Sequence, residues 1–381
     1  MAGIYVHIPF CRHKCGYCNF FSVASLRKKD SLVRAIIQEA RQKAVHFSGQ
    51  IISTLYLGGG TPSMLSDADL FHILRTLQSE YSISADAEIS LEVNPDDIGP
   101  ERLYTWKEMG WNRLSIGIQS WHPDDLTFLE RKHNQAQARK AVCQCKEAGF
   151  EDLSVDLIYG IPGQDLDRWR DNLAFFLETN VHHLSAYALT LEERTAYAHQ
   201  VEKGRQQPPD DEAAFGHFCL LQEMMSEAGF LQYEVSNFAR KEAYSRHNRA
   251  YWEGVPYLGL GPSAHSYDGS KRAWNVSGIQ SYLDGIEEGD ATEGFEMLQP
   301  ADKVNEYLMT ALRTIWGCRF KELIRLGGQG LLEETAGKIE PYILNGWALQ
   351  KDDAWVLSRE GLFHADGIAA ELFVSSSWSE Q

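Results

Sequence analysis

At 381 residues the chain is long enough to bury a full hydrophobic core, and its length points to roughly two or three domains. Its 36 Lys and Arg stand against 53 Asp and Glu, a formal charge of −17. That balance argues against a surface that tracks phosphates, and hence against nucleic-acid substrates.

The first strand expected, 4–8, runs almost directly into Cys11, Cys15 and Cys18, a C-x3-C-x2-C spacing. A loop with these gaps can wrap three thiols around one small inorganic core, and thiolates select zinc, Cu(I) or iron–sulfur centres over hard cations. Four-iron clusters ordinarily take four cysteines, so three leave one iron open to an outside ligand. A zinc site with His7 or His13 as fourth ligand is the competing reading, although no second ligand pair follows. Cys143, Cys145, Cys219 and Cys318 show no disulfide-framework spacing, which fits a reducing cytosol. No charged segment followed by a long apolar one begins the chain, so no signal peptide is expected. The longest uncharged run, 44–66, contains Gly-Gly-Gly-Thr-Pro-Ser and cannot cross a membrane as a helix. A soluble, cytoplasmic protein is expected.

Further strands are expected over 53–57, 88–93, 113–118, 153–158 and 183–189, with helices over 32–46, 67–80, 101–109, 135–148 and 167–179. Six strands alternating with helices argue for right-handed βαβ units on a parallel sheet. A doubly wound sheet competes. Residues with chemical potential fall at the carboxyl ends of several strands, however, where barrel enzymes keep their sites. The expected fold is α/β, a partial (β/α)6 barrel over 1–203. A linker-like stretch, 204–212, carries Pro208 and Pro209 and leads to a smaller α+β, helix-rich domain over 213–381. There, helices are expected over 212–228, 278–288, 301–315 and 331–344, and short strands over 232–235 and 354–357.

Polar or small residues close several strands. Gly58, Gly59, Gly60, Thr61 and Pro62 end the second; no Gly-Lys-Ser/Thr follows, so this is not a phosphate loop. Three glycines do permit close approach of the backbone to a ligand. Glu92 and Asn94 close the third strand, Gln119 the fourth and Asp156 the fifth. Three such placements together favour a ligand crevice over isolated caps.

Carrying Y-V-H-I-P-F-C-x3-C-x-Y-C, G-G-G-T-P, E-x-N-P, G-I-Q-S and D-L-I-Y-G-I-P-G-Q, the chain resembles the radical SAM superfamily. Within it, the resemblance is to the oxygen-independent coproporphyrinogen III dehydrogenase family, over about residues 3–190 and more weakly to the end. It implies a [4Fe–4S] cluster on Cys11, Cys15 and Cys18, with Tyr17 beside it and S-adenosylmethionine on the free iron. Gly59, Gly60, Thr61, Tyr5 and Glu92 would line S-adenosylmethionine, and Gln119, Arg131 and Asp156 would contact it. The dehydrogenases carry a further cysteine two residues after the third ligand, where this chain has Phe20, and an extension ahead of the first strand.

In the second half, His247, Asn248, Tyr251 and Trp252 form H-N-x-x-Y-W, the motif of the HemW family of heme chaperones, which resembles those dehydrogenases. A neutral imidazole is a good axial ligand for heme iron, and aromatic rings cover porphyrin faces. The resemblance implies heme at His247; His265 and the tryptophan-bearing stretch around Trp274 are further candidates for contact with it. The function expected is a heme chaperone that binds a [4Fe–4S] cluster, S-adenosylmethionine and heme. It would deliver heme to acceptor hemoproteins, membrane-bound or storage, without being an integral membrane protein. The alternatives are oxidative decarboxylation of coproporphyrinogen III to protoporphyrinogen, or chemistry on another tetrapyrrole, heme opening included.

Overall fold

The computed structural model describes residues 1–47, 49–240, 242–375 and 378. It opens on β1 (Ala2–Ile8), buried along nearly its whole length, as suits a strand at the middle of a sheet covered on both faces. There follow α1 (Lys29–Lys43), β2 (Ile51–Gly59), α2 (Asp67–Glu80), β3 (Ser82–Val93), α3 (Pro100–Met109) and β4 (Arg113–Gln119). Next come α4 (Pro123–Phe128), α5 (Gln135–Glu147), β5 (Asp152–Tyr159), α6 (Leu166–Glu178) and β6 (His183–Ala188). Each strand pairs in parallel with the one before it, so their carboxyl ends share one edge. The helices begin where local chemistry directs: Ser66 with Asp69, and Asn134 with Gln137, form reciprocal capping boxes ahead of α2 and α5. Leu32, Val33, Ile36 and Ala40 give α1 a buried stripe at helical spacing.

The second half contributes α7 (Ala196–Glu202), α8 (Asp211–Glu227), β7 (Leu231–Gln232), β8 (Asn237–Ala239), α9 (Arg246–Trp252) and β9 (Tyr257–Leu260). It continues through β10 (His265–Tyr267), β11 (Lys271–Asn275), α10 (Ile279–Glu288) and β12 (Thr292–Met297). All its strands so far join the same sheet, in the order β12-β11-β10-β9-β1-β2-β3-β4-β5-β6-β8-β7. Strand β9 runs parallel to β1, and the strands beyond it and beyond β6 are antiparallel. The order is linear, so the sheet is open. Its middle curves as a partial barrel, since Tyr56, Glu92, Ser115, Asp156 and Tyr187, one from each of β2 to β6, line a single cavity. The α/β partial-barrel expectation holds.

Helices α11 (Pro300–Leu312) and α12 (Phe320–Leu344) follow, with a small sheet of β13 (Cys318–Arg319), β14 (Ala348–Lys351) and β15 (Ala354–Leu357). The helix expected over 331–344 starts earlier, at Phe320, and is broken at Gly327 and Gly328, where Gly328 adopts φ +70°. The strand expected over 232–235 is the β7–β8 pair instead. Strands β9 to β12 were not expected: β9 to β11 run to five residues at most, too short for alternation to show, and β12 has no buried residue to mark a core face. Among the described residues no helix is long and apolar enough to cross a membrane.

Candidate cofactor site at the carboxyl ends of the strands

A cavity of about 470 Å3 opens at the carboxyl edge of β1 to β6. The cysteine loop that covers it is closed by a parallel bridge between Phe10 and Val23. There Cys11 N–H donates to the Val23 carbonyl at 3.0 Å, and Val23 N–H to that of Pro9 at 2.7 Å. Helix α7 pins the middle of the loop, with Tyr197 N–H donating to the Gly16 carbonyl at 2.8 Å. Cys11, Cys15, Cys18 and Tyr17 thereby stand on one wall of the cavity. Burial pushes the Cys11 and Cys18 thiols up from their ordinary value. Phe20, 63% exposed, stands beside them.

Among the described residues no three His, Cys, Asp or Glu side chains converge on a single-ion site. The two histidines considered as a fourth zinc ligand are engaged elsewhere. His7 Nε2–H donates to the Phe21 carbonyl at 2.9 Å, so its Nδ1 accepts from the Tyr5 hydroxyl at 3.0 Å. His13 pairs with Glu130 at 2.7 Å.

Below the thiols, β2 ends in glycines that let the backbone reach the cavity. A Cβ on Gly60 would lie 2.7 Å from the Phe10 carbonyl oxygen, so no larger residue fits beneath the cysteine loop. Gly59 N–H donates to Glu92 Oε2 at 3.0 Å and the Tyr56 hydroxyl to Oε1 at 2.7 Å. Burial, with Asp156 adding to it, nevertheless lifts the Glu92 carboxyl to about 7. Asp156 accepts from the Ser115 hydroxyl at 3.0 Å and from Ser154 at 3.4 Å, and burial lifts it to about 6. Arg131 is held by Asn94 Oδ1 and the Gly117 carbonyl, both at 2.7 Å. Gln119 takes φ +69° where β4 slips register against β5, a bulge that ends the pairing at the cavity rim.

Cys11, Cys15, Cys18, Tyr17, Gly59, Gly60, Thr61, Glu92, Gln119, Arg131 and Asp156 thus all line one cavity. Tyr5 does not; it packs against Tyr56 at 6.1 Å with its hydroxyl on His7. Sequence reasoning missed Arg113, Ser115, Ser154, His183, Ser185 and Tyr187, which line the same space. Their signal was the period-two recurrence of polar residues along β4, β5 and β6, which places them on one face.

His247 lies deeper, where α9 packs against the inner ends of β1 to β3. The Arg246 and His247 amides donate to the Glu88 carboxylate at 2.7 and 2.9 Å, and Ser245 caps Asn248 N–H. The ring is 2% exposed. Its Nδ1 meets Thr54 Oγ1 at 2.8 Å, its Nε2 meets the Tyr251 hydroxyl at 3.0 Å, and its face stacks on Tyr56 at 5.0 Å. Burial pushes it down to about 3, so the imidazole is neutral, the form that ligates metals. An axial bond from His247 requires one of these two hydrogen bonds to be given up. His265 and Trp274 pair across β10 and β11 at 6.1 Å and do not line the cavity.

Residues 5–176 match the family model described as the radical SAM superfamily. Over 377 residues the chain is 34% identical to a Mycobacterium tuberculosis protein named heme chaperone HemW, covering 97% of this chain and 94% of the relative. It is 33% identical over 335 residues to the Bacillus subtilis protein of the same name, covering 87% and 88%. Among solved structures, the coproporphyrinogen III oxidase HemN of Escherichia coli superposes with a TM-score of 0.85 over 98% of this chain and 90% of that one. Its 22% identity makes this a likeness of fold. The superfamily match and the near-complete span of the HemW relatives agree with the three-thiol cavity, and the chain belongs to the HemW family of radical SAM proteins.

Proposed function

We propose that this protein is a cytoplasmic heme chaperone, carrying a [4Fe–4S] cluster on Cys11, Cys15 and Cys18 and S-adenosylmethionine in the cavity beneath, and passing heme to acceptor hemoproteins. The observation that carries the reading is identity spanning nearly the whole of both chains to proteins named heme chaperones. The residues present fit the cofactors. Three thiols share one wall of a cavity of about 470 Å3. A cluster with three thiolate ligands keeps one iron open to an outside ligand and supplies one-electron chemistry there.

The chain's own groups complement S-adenosylmethionine by charge. Half-buried Glu92 and Asp156 suit the ammonium and the sulfonium-bearing half, and Arg131, braced by Asn94 and the Gly117 carbonyl, suits the carboxylate. Gly59, Gly60 and Thr61 allow that ligand to lie against backbone. His247 is the candidate axial ligand for heme, neutral at every physiological pH and released for bonding when the Tyr251 hydroxyl moves away.

Anaerobic reconstitution tests this reading. The wild-type protein is expected to gain iron, sulfide and visible absorption, to bind heme saturably, and to hand it to an apo-hemoprotein. Cys11→Ala, Cys15→Ala and Cys18→Ala are each expected to lose the cluster absorption. Formation of protoporphyrinogen from coproporphyrinogen by a protein that does not bind heme would replace the chaperone reading with the dehydrogenase one.

A further inference from the structure

A second cavity, of about 970 Å3, lies where β6 and the approach to β8 face α9, α11 and the strands β9 to β11. It is distinct from the cofactor cavity but touches it, since Tyr187 and Asn248 belong to the walls of both. Four of its lining side chains bury a polar atom that has no partner among the described residues: Glu234 Oε2, Asn237 Oδ1, Trp252 Nε1 and Arg313 Nε. Glu234 and Asn237 are only 1% and 3% exposed. The other oxygen of Glu234 is held by the Ser236 amide at 3.0 Å and by the Asn237 side chain, so the free oxygen is fixed in place. Folded proteins leave few buried polar groups unmatched, because each costs about 1–3 kcal/mol. Two acceptors and two donors are left over beside this one cavity, and the donors among them call for an acceptor-bearing partner.

The character of the remaining wall says what that is. Trp316, Tyr257, Tyr267 and Tyr307 add aromatic surface beside Tyr251 and Trp252. Of its cations, Arg272 is already matched to Glu296 and Glu306, Arg313 to Asp366 and Arg325 to Glu322. Lys303 and Arg319 make no ion pair among the described residues and so present unspent positive charge. The volume sits at the upper end of the range for small-molecule sites, about 300–1,000 Å3. A broad aromatic ligand with peripheral carboxylates fits the volume, the aromatic surface, the two unpaired cations and the two unmatched donors, Trp252 Nε1 and Arg313 Nε; it brings nothing to the two acceptors.

We propose that this second cavity, not the cofactor cavity, seats the tetrapyrrole, its ring against the aromatic wall and its carboxylates at Lys303 and Arg319. The assignment rests on the heme reading above and extends it, by giving the cargo its own chamber next to the cofactor through Tyr187 and Asn248; His247 lies behind Tyr251 in its wall and reaches the iron only when the Tyr251 hydroxyl moves off its Nε2.

The test is titration of the full-length protein with hemin, and separately with hemin dimethyl ester, whose carboxylates are blocked. Lys303→Ala/Arg319→Ala changes two side chains at the cavity edge, and Thr310→Trp fills the cavity; Lys140→Ala, on α5, serves as control. Thermal melting of each variant checks that the fold survives. The double variant is expected to weaken hemin at least tenfold and to lose most of the salt dependence of binding. The ester should bind wild type about as weakly as hemin binds the double variant, Thr310→Trp should exclude both, and Lys140→Ala should change nothing. If wild type binds hemin saturably but neither the double variant nor the ester shifts the affinity beyond twofold, the chamber assignment is overturned while the heme reading stands. If wild type shows no saturable binding, the heme reading itself fails.

Discussion

Glu92 and Asp156 line the same cavity, and their partners are hydroxyls and one backbone amide, not a cation. Burial lifts Glu92 from 4.5 to about 7 and Asp156 from 3.8 to about 6. The folded chain therefore holds a proton on Glu92 that the unfolded chain has already released. Its contribution to stability is complete below the unfolded value and is lost as pH rises through the folded one, by on the order of 3 kcal/mol. The neighbouring Tyr5, Tyr56 and Tyr251 are all pushed upward and stay protonated across that window, so the carboxyls carry the effect. A bound cation reverses the balance, favouring the carboxylates and expelling protons. Affinity for S-adenosylmethionine should therefore rise from about pH 6 to about pH 8, with proton release visible as a buffer-dependent enthalpy in calorimetry. Glu92→Gln should flatten that profile and weaken binding by roughly tenfold or more. Affinity that stays constant with pH and releases no proton would show that these carboxylates do not face the cation.

Among the elements, α9 is the one whose existence depends most on the rest of the fold. Seven residues are too few to hold a helix by themselves, and its two leading amides are satisfied by Glu88, a residue of β3. That is why the sequence does not announce it. The six parallel strands and the five longer helices between them were legible because they alternate regularly along the chain, whereas six-residue α4 was not expected and β9 to β12 are short and take their order from pairing with β1. The cofactor cavity was legible for a related reason: its cysteines and glycines are contiguous, and its polar groups close strands already recognised. The placement of Tyr5 and His247 was not, since it depends on where α9 packs. Glu88→Ala should leave the Arg246 and His247 amides buried and unpaired, at about 2–4 kcal/mol. Denaturant midpoints should fall accordingly, and amide exchange at 246–248 should quicken ahead of the strands. Unchanged protection at those amides would mean that α9 is held by its side chains alone. Glu88→Gln, which keeps one acceptor oxygen, should fall between the two.

At the scale of the whole molecule, both halves of the chain share one sheet and one hydrophobic core. Glu39 joins them a second time. It lies on α1 with 0% exposure, yet it accepts from the Gly261 amide at 2.7 Å, the Asn275 side chain at 2.6 Å and the Tyr282 hydroxyl at 2.6 Å, and pairs with Lys43 at 2.7 Å. A carboxylate withdrawn from water costs several kcal/mol unless its lone pairs are filled, and three of these four donors come from beyond residue 260. If the second half opened alone, Glu39 would lose three of its four partners and keep only Lys43, so the two halves should unfold together. Fluorescence and far-UV circular dichroism should accordingly give coincident single transitions in urea. Glu39→Ala strands three donors at once and should cost about 3–5 kcal/mol; because it cuts the link between the halves, it should also pull the two transitions apart. Two separated transitions in the wild type, or a Glu39→Ala midpoint close to that of wild type, would show that the shared sheet alone couples the halves. Coupling through Glu39 bears on the site as well, because the Gly261 it holds follows directly on β9, which pairs with β1, the strand that leads into the cysteine loop.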